Sequence, residues 1–342
     1  MCGLFLLPLI MLTQEELLAK VNAAIDALVY NAQPDALYEP IRYELSLGGK
    51  RIRPVLMLMG YQLFKDDVDK IIPQAIALET YHNFTLLHDD VMDRAEMRRG
   101  RPCVHKVWGD NAAILSGDAM LILAYRLMTE QRTSDTQQPH DRHLFSALQT
   151  FTEATLGVCE GQQYDIDFEK RSDVSVAEYM EMIRLKTSLL LGCALKMGAQ
   201  LAGASEADAN SLYDFGEKVG LAFQLQDDLL DVYGDPAVFG KKIGGDILCN
   251  KKTFMLLSTL QMADESQRRQ LDEWLAAESF DPAEKISAVR AIYDAVGIRR
   301  VCEEKIESLF AQALNSLDTL SVDADLTSPL RDFAHHLMGR QS

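Results

Sequence analysis

Apolar residues recur at three- and four-residue spacing along most of the chain, in runs over 14–30, 35–46, 51–64, 70–93, 111–130, 143–165, 176–203, 206–231, 252–263, 284–295 and 298–318. That period predicts helices, and no alternating segment bounded by hairpin turns predicts strands. Prolines fall mostly between the runs, as at Pro54, Pro73, Pro102, Pro236 and Pro282, where they start helices or punctuate loops. The runs 70–93, 176–203 and 206–231 are apolar on more than one face, as expected of helices surrounded by others. The polar, breaker-rich segment 130–143 reads as an exposed loop. The pattern predicts an all-α protein, a single large helical bundle without a low-complexity linker.

Composition narrows the function. With 342 residues, 48% hydrophobic and 25% charged, the chain can bury a substantial core. Lys plus Arg number 34 against 51 Asp plus Glu, and the net charge of −17 repels phosphate backbones, so no nucleic acid partner is expected. A phosphorylated ligand would need concentrated cations or metal ions that reverse the sign locally. The six cysteines, at 2, 103, 159, 193, 249 and 302, form no CxxC pair and predict a reducing, cytoplasmic setting without a zinc knuckle. No apolar run reaches the ~18–20 residues that span a bilayer, so no transmembrane segment is expected. Residues 1–12 are apolar but lack a basic leader and a cleavage site, so no signal peptide is expected. Thr13 and Glu16 are spaced as a capping box, which suggests Met11 as the start, residues 1–10 as an extension, and one domain over 11–342.

Two aspartate clusters carry the chemistry. LLHDDVMD presents Asp89, Asp90 and Asp93 at the end of an apolar helix, and FQLQDDLLD presents Asp227, Asp228 and Asp231 in the same way. Residues four apart share a helix face with Cβ atoms about 5–6 Å from each other, so each cluster makes a carboxylate claw. Like charges at this spacing cost a few tenths of a kcal/mol, and the negative end of the helix dipole opposes them again. A hard divalent cation offsets that cost, because Mg²⁺ takes one or two carboxylates together with waters and ligand phosphates. One such cluster could be a solvated helix end; two with identical spacing argue for metal.

Cations gather beside both claws. RAEMRRGRP places Arg98 and Arg99 at a Gly100 turn, and guanidinium forks bind phosphate bidentately. LGGKRIRP supplies Lys50, Arg51 and Arg53 at a helix start but lacks P-loop spacing. FGKKIGGDILCNKKT surrounds Asp246 with Lys241, Lys242, Lys251 and Lys252. From the residues alone, Lys186 also fits a lysine snorkelling from an apolar helix, His82 a satisfied core histidine, and Lys242, Lys251 and Lys252 a solvated face.

GGKRIRP, HDDVMDRAEMRRGRP, LSGDAML, EGQQYDI, the Lys186-Thr187 pair, FQLQDDLLD and GKKIGGD stand in an order and spacing that resemble the trans-polyprenyl diphosphate synthases, the short-chain isoprenyl transferases that include farnesyl and geranylgeranyl diphosphate synthases. The resemblance runs from about residue 35 to 315. It implies the isoprenoid synthase type I fold, helices around a deep central cavity with the claws facing each other at its mouth, and a homodimer. The six aspartates would bind about three Mg²⁺, with Mn²⁺ as a substitute, and through them an allylic diphosphate. Arg98, Lys186 and Lys241 match its direct ligands. Lys50, Arg53, His82 and Arg99 match the pocket for isopentenyl diphosphate, and Gln162 and Lys251 join the substrate-binding set. Thr187 and Gln224 match positions that steady a carbocation, and the departing diphosphate takes the final proton.

The implied reaction is head-to-tail condensation of isopentenyl diphosphate with an allylic diphosphate, giving a short-chain trans-prenyl diphosphate. A terpene cyclase is disfavoured because FQLQDDLLD lacks the spaced Asn, Ser and Glu of its second metal motif, and a non-catalytic regulatory subunit because neither claw is broken. An HD-type phosphohydrolase, suggested by His88-Asp89, would need further histidine ligands. Asn250 departs from the glycine common in relatives, and HHLMGRQS lacks the basic tail that some relatives use to close the site.

Phe84, five residues before Asp89, with Tyr81 deeper and the smaller Thr85 beside them, resembles the pattern of synthases that stop near twenty carbons, although both aromatics also fit an ordinary core. Geranylgeranyl diphosphate is slightly favoured over farnesyl diphosphate as product. Phe84→Ala is expected to lengthen the product, read by chromatography of the dephosphorylated alcohols; an unchanged chromatogram would mean that another residue forms the floor.

Overall fold

Thr13 opens the first helix with the expected capping box: its hydroxyl accepts from the Glu16 N–H while Glu16 accepts from the Thr13 N–H. The computed structural model describes residues 11–28, 30, 32–130, 140–235 and 243–339. Its helices are α1 (Gln14–Asp26), α2 (Asp35–Ser46), α3 (Ile52–Gln62), α4 (Ile72–Met92), α5 (Val104–Trp108), α6 (Asp110–Met128), α7 (His140–Lys170), α8 (Val176–Ile183), α9 (Leu189–Ala202), α10 (Glu206–Tyr233), α11 (Gly245–Leu248), α12 (Phe254–Met262), α13 (Glu265–Ala276), α14 (Pro282–Val296), α15 (Ile298–Leu317) and α16 (Ser328–Met338). The predicted extension 1–10 and Lys241 and Lys242 lie outside the described residues.

The chain forms two compact units, one holding the residues up to Phe151 with Ala194–Asn210, the other Thr152–Cys193 with the residues from Ser211 onward. In the first, α4 is the central helix: fourteen of its 21 residues are buried, on every face, and it packs against α1, α2, α3, α5 and α6. In the second, α8, α10, α12, α14 and α15 enclose a core that includes Tyr179, Met182, Leu225, Leu229, Phe254, Leu257, Val289, Ile292, Cys302 and Ile306. No described helix is long and apolar enough to cross a membrane.

The differences from the predicted elements have local causes. The run 176–203 is interrupted by a π-turn over Arg184–Ser188, where Ser188 Oγ donates to the Ile183 carbonyl and the Leu189 N–H closes on Arg184. Helix α7 starts at His140, inside the predicted loop. Helix α13 buries only Leu271, so its apolar period is too sparse to register, while α16 buries Leu330, Phe333, Ala334 and Leu337 at helical spacing beyond the last predicted run. A two-residue hairpin also forms, β1 (Met97–Arg98) against β2 (Arg101–Pro102), because Arg99 and Gly100 both take positive φ and close a type I′ turn.

Helix α3 and the second half of α9 touch backbone to backbone. A Cβ on Gly198 would stand 2.1 Å from the Met57 carbonyl oxygen, and one on Gly60 2.7 Å from that of Leu195. Gly198→Ala gains about 1 kcal/mol of helix propensity, but neither backbone can yield cheaply. A net loss of about 2 kcal/mol is expected, seen as a lower urea midpoint at unchanged slope; an unchanged midpoint would mean that the two helices part freely.

Candidate active site

The first acidic cluster ends α4. The helix stops in a Schellman turn, with Arg94 at φ 53°, the Arg94 N–H on Val91 and the Ala95 N–H on the Asp90 carbonyl. The three carboxylates then part company. Asp90 is 3% exposed and takes both Arg98 nitrogens, Nε at 2.7 Å and Nη2 at 2.7 Å. Asp89 is half-buried, 3.7 Å from the same guanidinium, and Asp93 is exposed at the helix end. The i and i+4 pair thus remains as the claw, and the middle aspartate holds the hairpin that carries Arg98 and Arg99.

Lys50, Arg53, His82 and Arg99, four residues singled out by the sequence, line one cavity of about 460 Å³ with Arg51 and Glu79. Arg51 adopts φ 49° at the head of α3, where its guanidinium is buried on Glu79 (2.7 Å) and on the Leu45 carbonyl (2.8 Å). Asn83 also donates to Glu79, at 3.1 Å. This buried pair sets the chain direction that delivers Lys50 and Arg53 to the cavity. Arg53 lies 3.0 Å from His82 Nε2, and Arg99 donates to the Gly48 carbonyl. Burial, then the charges of Arg53, Arg99, Arg98 and Arg51, drive His82 well below its usual range, so it stands neutral among cations. Burial also lowers Arg53, to about 10, which leaves it charged at neutral pH.

The second cluster follows the same plan on α10. Asp228 is 2% exposed and accepts from the Tyr179 hydroxyl and from Gln224 Nε2 at 3.1 Å, while Asp227 and Asp231 are half-buried. Burial lifts Asp228 to about 7, against the opposing charge of Lys251. Burial raises Asp231 as well, although it accepts the Asp246 N–H at 3.0 Å. Thr187 donates to Gln224 Oε1 at 3.3 Å, so Thr187, Gln224 and Asp228 form one hydrogen-bonded line. The π-turn holding Lys186 and Thr187 is pressed between two glycines: a Cβ on Gly161 would meet the Lys186 nitrogen at 2.4 Å, and one on Gly220 the Ser188 Cα at 2.7 Å. Gln162 follows Gly161 on α7, half-buried. Lys186 pairs with Asp165 at 2.6 Å, and Lys251 reaches Asp246 at 3.6 Å.

The chain-length residues pack as an aromatic stack. Tyr81 (1% exposed) lies 5.5 Å from Phe84 and 5.5 Å from Phe151, which meets Tyr125 at 5.2 Å, and Phe84 meets His88 at 4.8 Å. Thr85 donates to the His82 carbonyl. Sequence reading missed Phe151, Tyr125, Tyr179, Asp165 and Glu44. Asp165 stands inside the EGQQYDI motif, which was a usable signal; the others come from distant helices and had none.

A family model described as polyprenyl synthetase matches residues 34–295. The chain is 37% identical over 283 residues to the short chain isoprenyl diphosphate synthase of Methanocaldococcus jannaschii, covering 83% of this chain and 84% of that one. A crystal structure of geranylgeranyl pyrophosphate synthase is similar with a TM-score of 0.89 at 43% identity, over 97% of this chain and 100% of that one. Another, geranylgeranyl pyrophosphate synthase from Corynebacterium glutamicum complexed with isoprenyl diphosphate and magnesium, gives 0.78 at 26% identity over 96% and 97% of the two chains. The fold is that of the prenyl diphosphate synthases, which are prenyltransferases. The chain belongs to the polyprenyl synthetase family, with its all-α isoprenoid synthase fold.

Glu44, on α2, is fully buried with no hydrogen-bond partner for either carboxylate oxygen. Burial, reinforced by the Asp90 charge, lifts it from 4.5 to about 7. The folded state therefore binds this proton more tightly than the unfolded chain, and the stability it lends at acid pH is lost as pH rises through 7. Glu44→Gln stays neutral and removes that loss. Urea unfolding should show the variant gaining about 2–3 kcal/mol on the wild type between pH 5 and pH 8.5. Parallel pH profiles would instead mean that Glu44 is ion-paired and charged throughout.

Proposed function

We propose that this protein is a divalent-metal-dependent prenyltransferase that condenses isopentenyl diphosphate head-to-tail with an allylic diphosphate and releases a short trans-prenyl diphosphate, geranylgeranyl slightly ahead of farnesyl. The observation that carries this reading is the cavity: in a chain of net charge −17, Lys50, Arg53 and Arg99 meet around one space with a neutral histidine. Such a site suits a diphosphate whose hydrocarbon part needs no countercharge.

The acidic clusters fit Mg²⁺. Their donors are hard carboxylate oxygens, and the raised Asp228 and Asp231 are groups that a nearby cation would return to the ionised form. Among the described residues no three His, Cys, Asp or Glu side chains converge on one metal position. Each ion would therefore complete its shell with water and ligand phosphate, which is how Mg²⁺ is usually held. Asp89, Asp93, Asp227 and Asp231 supply the accessible carboxylates, and Asp90 and Asp228 complete the two sets, for about three ions. Bound, the ions neutralise charge that develops on the departing diphosphate.

In this reading the chain's own groups divide the remaining work. Arg98, Lys186 and Lys241 bind the allylic diphosphate, each of the first two delivered from a carboxylate partner, Asp90 or Asp165, that fixes its position beforehand. Lys50, Arg53, His82 and Arg99 orient isopentenyl diphosphate, and Gln162 and Lys251 complete the substrate-binding set, Lys251 on the allylic diphosphate beside Asp228 and Asp246. The Thr187 hydroxyl and Gln224 amide oxygen turn dipoles toward the carbocation, and the diphosphate released takes the proton. Tyr81 and Phe84 close the floor. The family match runs unbroken through both units, which supports one functional domain over 11–342. Exposed Leu115 and Ile122 on α6 and Phe145 on α7 favour a homodimer. The described cysteines are all free, in keeping with a cytoplasmic setting.

The test is incubation with Mg²⁺, radiolabelled isopentenyl diphosphate and each of dimethylallyl, geranyl and farnesyl diphosphate. A twenty-carbon alcohol after dephosphorylation is the expected product, and fifteen carbons would move the stop to Tyr81. Asp89→Asn and Asp227→Asn should each lower kcat at least ~100-fold. Absence of elongation from every primer would leave the regulatory-subunit reading in its place.

A further inference from the structure

Asn250 sits at a positive-φ turn position that glycine could also fill, and its surroundings give it a task that glycine has no atoms to perform. Helix α11 ends in a Schellman turn: Asn250 takes φ 53°, its N–H bonds the Ile247 carbonyl at 3.2 Å, and the Lys251 N–H bonds the Asp246 carbonyl at 3.0 Å. Glycine and asparagine are the two residues that most readily accept that conformation. Asparagine adds a clasp. Its Nδ2 donates to the Leu275 carbonyl at the end of α13 (3.0 Å), and its Oδ1 accepts from Lys285 Nζ on α14 (2.7 Å).

Lys285 is fully buried, a rare state for a lysine. Its ammonium lies on Asn250 Oδ1 and 4.1 Å above the centre of the Phe280 ring. A charge held inside a protein needs such partners, so the pair fixes both ends. Between Asp246, Asn250, Lys251 and Leu275 the remaining void is only about 10 Å³, room for one water at most. The loop has little slack to take up a change at position 250. Through the same short helix, the Asp246 N–H is bound to Asp231 and its carboxylate to Lys251.

We propose that Asn250, clasped by Lys285 and the end of α13, is a positioning residue that sets Lys251 against the second acidic cluster for binding of the allylic diphosphate. The proposal rests on the reading of Lys251 as a diphosphate-binding residue. Asn250 itself touches no substrate.

Four variants test it by steady-state kinetics with Mg²⁺ and geranyl diphosphate, alongside thermal unfolding. Lys251→Ala alone should raise KM for the allylic substrate about tenfold; an unchanged KM would overturn the reading of Lys251 on which the proposal stands. Asn250→Gly keeps the backbone conformation and removes the clasp, and should raise KM about tenfold with kcat within about threefold. In the Lys251→Ala background the same change should add nothing, whereas effects that multiply would overturn the proposal. Asn250→Gly combined with Lys285→Met removes the buried charge together with its acceptor. Its Tm should recover while KM stays raised; KM recovering together with Tm would show Asn250 to serve stability alone. Should Asn250→Gly fail to fold, Lys285→Met alone should raise KM about threefold, and an unchanged KM there would equally overturn the proposal.

Discussion

The structure turns on how buried carboxylates are held. Each aspartate cluster stands at or near the end of a long helix, where the helix dipole and the neighbouring acids both oppose ionisation. In each, the middle aspartate is taken out of solvent and given fixed donors, Arg98 for Asp90 and Tyr179 with Gln224 for Asp228. The outer two are left half-buried or exposed. That division lets one side chain tie the cluster to its scaffold while a pair one turn apart stays available for cations. The donors are unequal: a guanidinium holds Asp90 in a charge-assisted pair, whereas Asp228 has only neutral side-chain donors, and burial raises its affinity for protons in spite of them.

Backbone strain gathers around the same groups. The non-glycine residues with positive φ are Arg51, Arg94, Arg99 and Asn250 among those described. Each conformation costs on the order of 1 kcal/mol and persists only where the surroundings enforce it. Arg51 is enforced by Glu79 and the Leu45 carbonyl, Arg99 by its hairpin and Gly48, Asn250 by Lys285 and Leu275. Arg94 sits in the Schellman turn that ends α4. In three of the four cases the residue lies directly beside a cation that the proposed function gives to substrate: Arg51 beside Lys50, Arg99 beside Arg98, and Asn250 beside Lys251. In each case a tight turn fixes the backbone, and the adjacent side chain is thereby aimed rather than left to sample.

Helices and motifs were legible because both are local. The three- and four-residue period is a property of neighbouring residues, and DDxxD places two carboxylates on one helix face whatever the fold. The cavity residues Lys50, Arg53, His82 and Arg99 were also found, although only as separate motifs; α4 and the hairpin bring His82 and Arg99 to the head of α3. What was not legible is long-range. Tyr179 meets Asp228, and Lys285 meets Asn250, across intervals that no spacing rule covers. The π-turn escaped for another reason: an apolar run reads the same through a bulge, and what reveals it is the pair of glycines on α7 and α10 that face it.

The asparagine at position 250 shows how a side chain can add support to a turn whose backbone glycine could also supply. A glycine there supplies only the conformation, and the loop then depends on whatever packs around it. Here the Asn250 side chain reaches two further helices, and one of its partners is a lysine that could not be buried without an acceptor. Asparagine and Lys285 are therefore a matched pair: the first makes the second tolerable, and the second gives the first a reason to exceed glycine. A non-glycine residue at such a turn signals a partner for its side chain elsewhere in the chain, and a fully buried cation is the place to look for it.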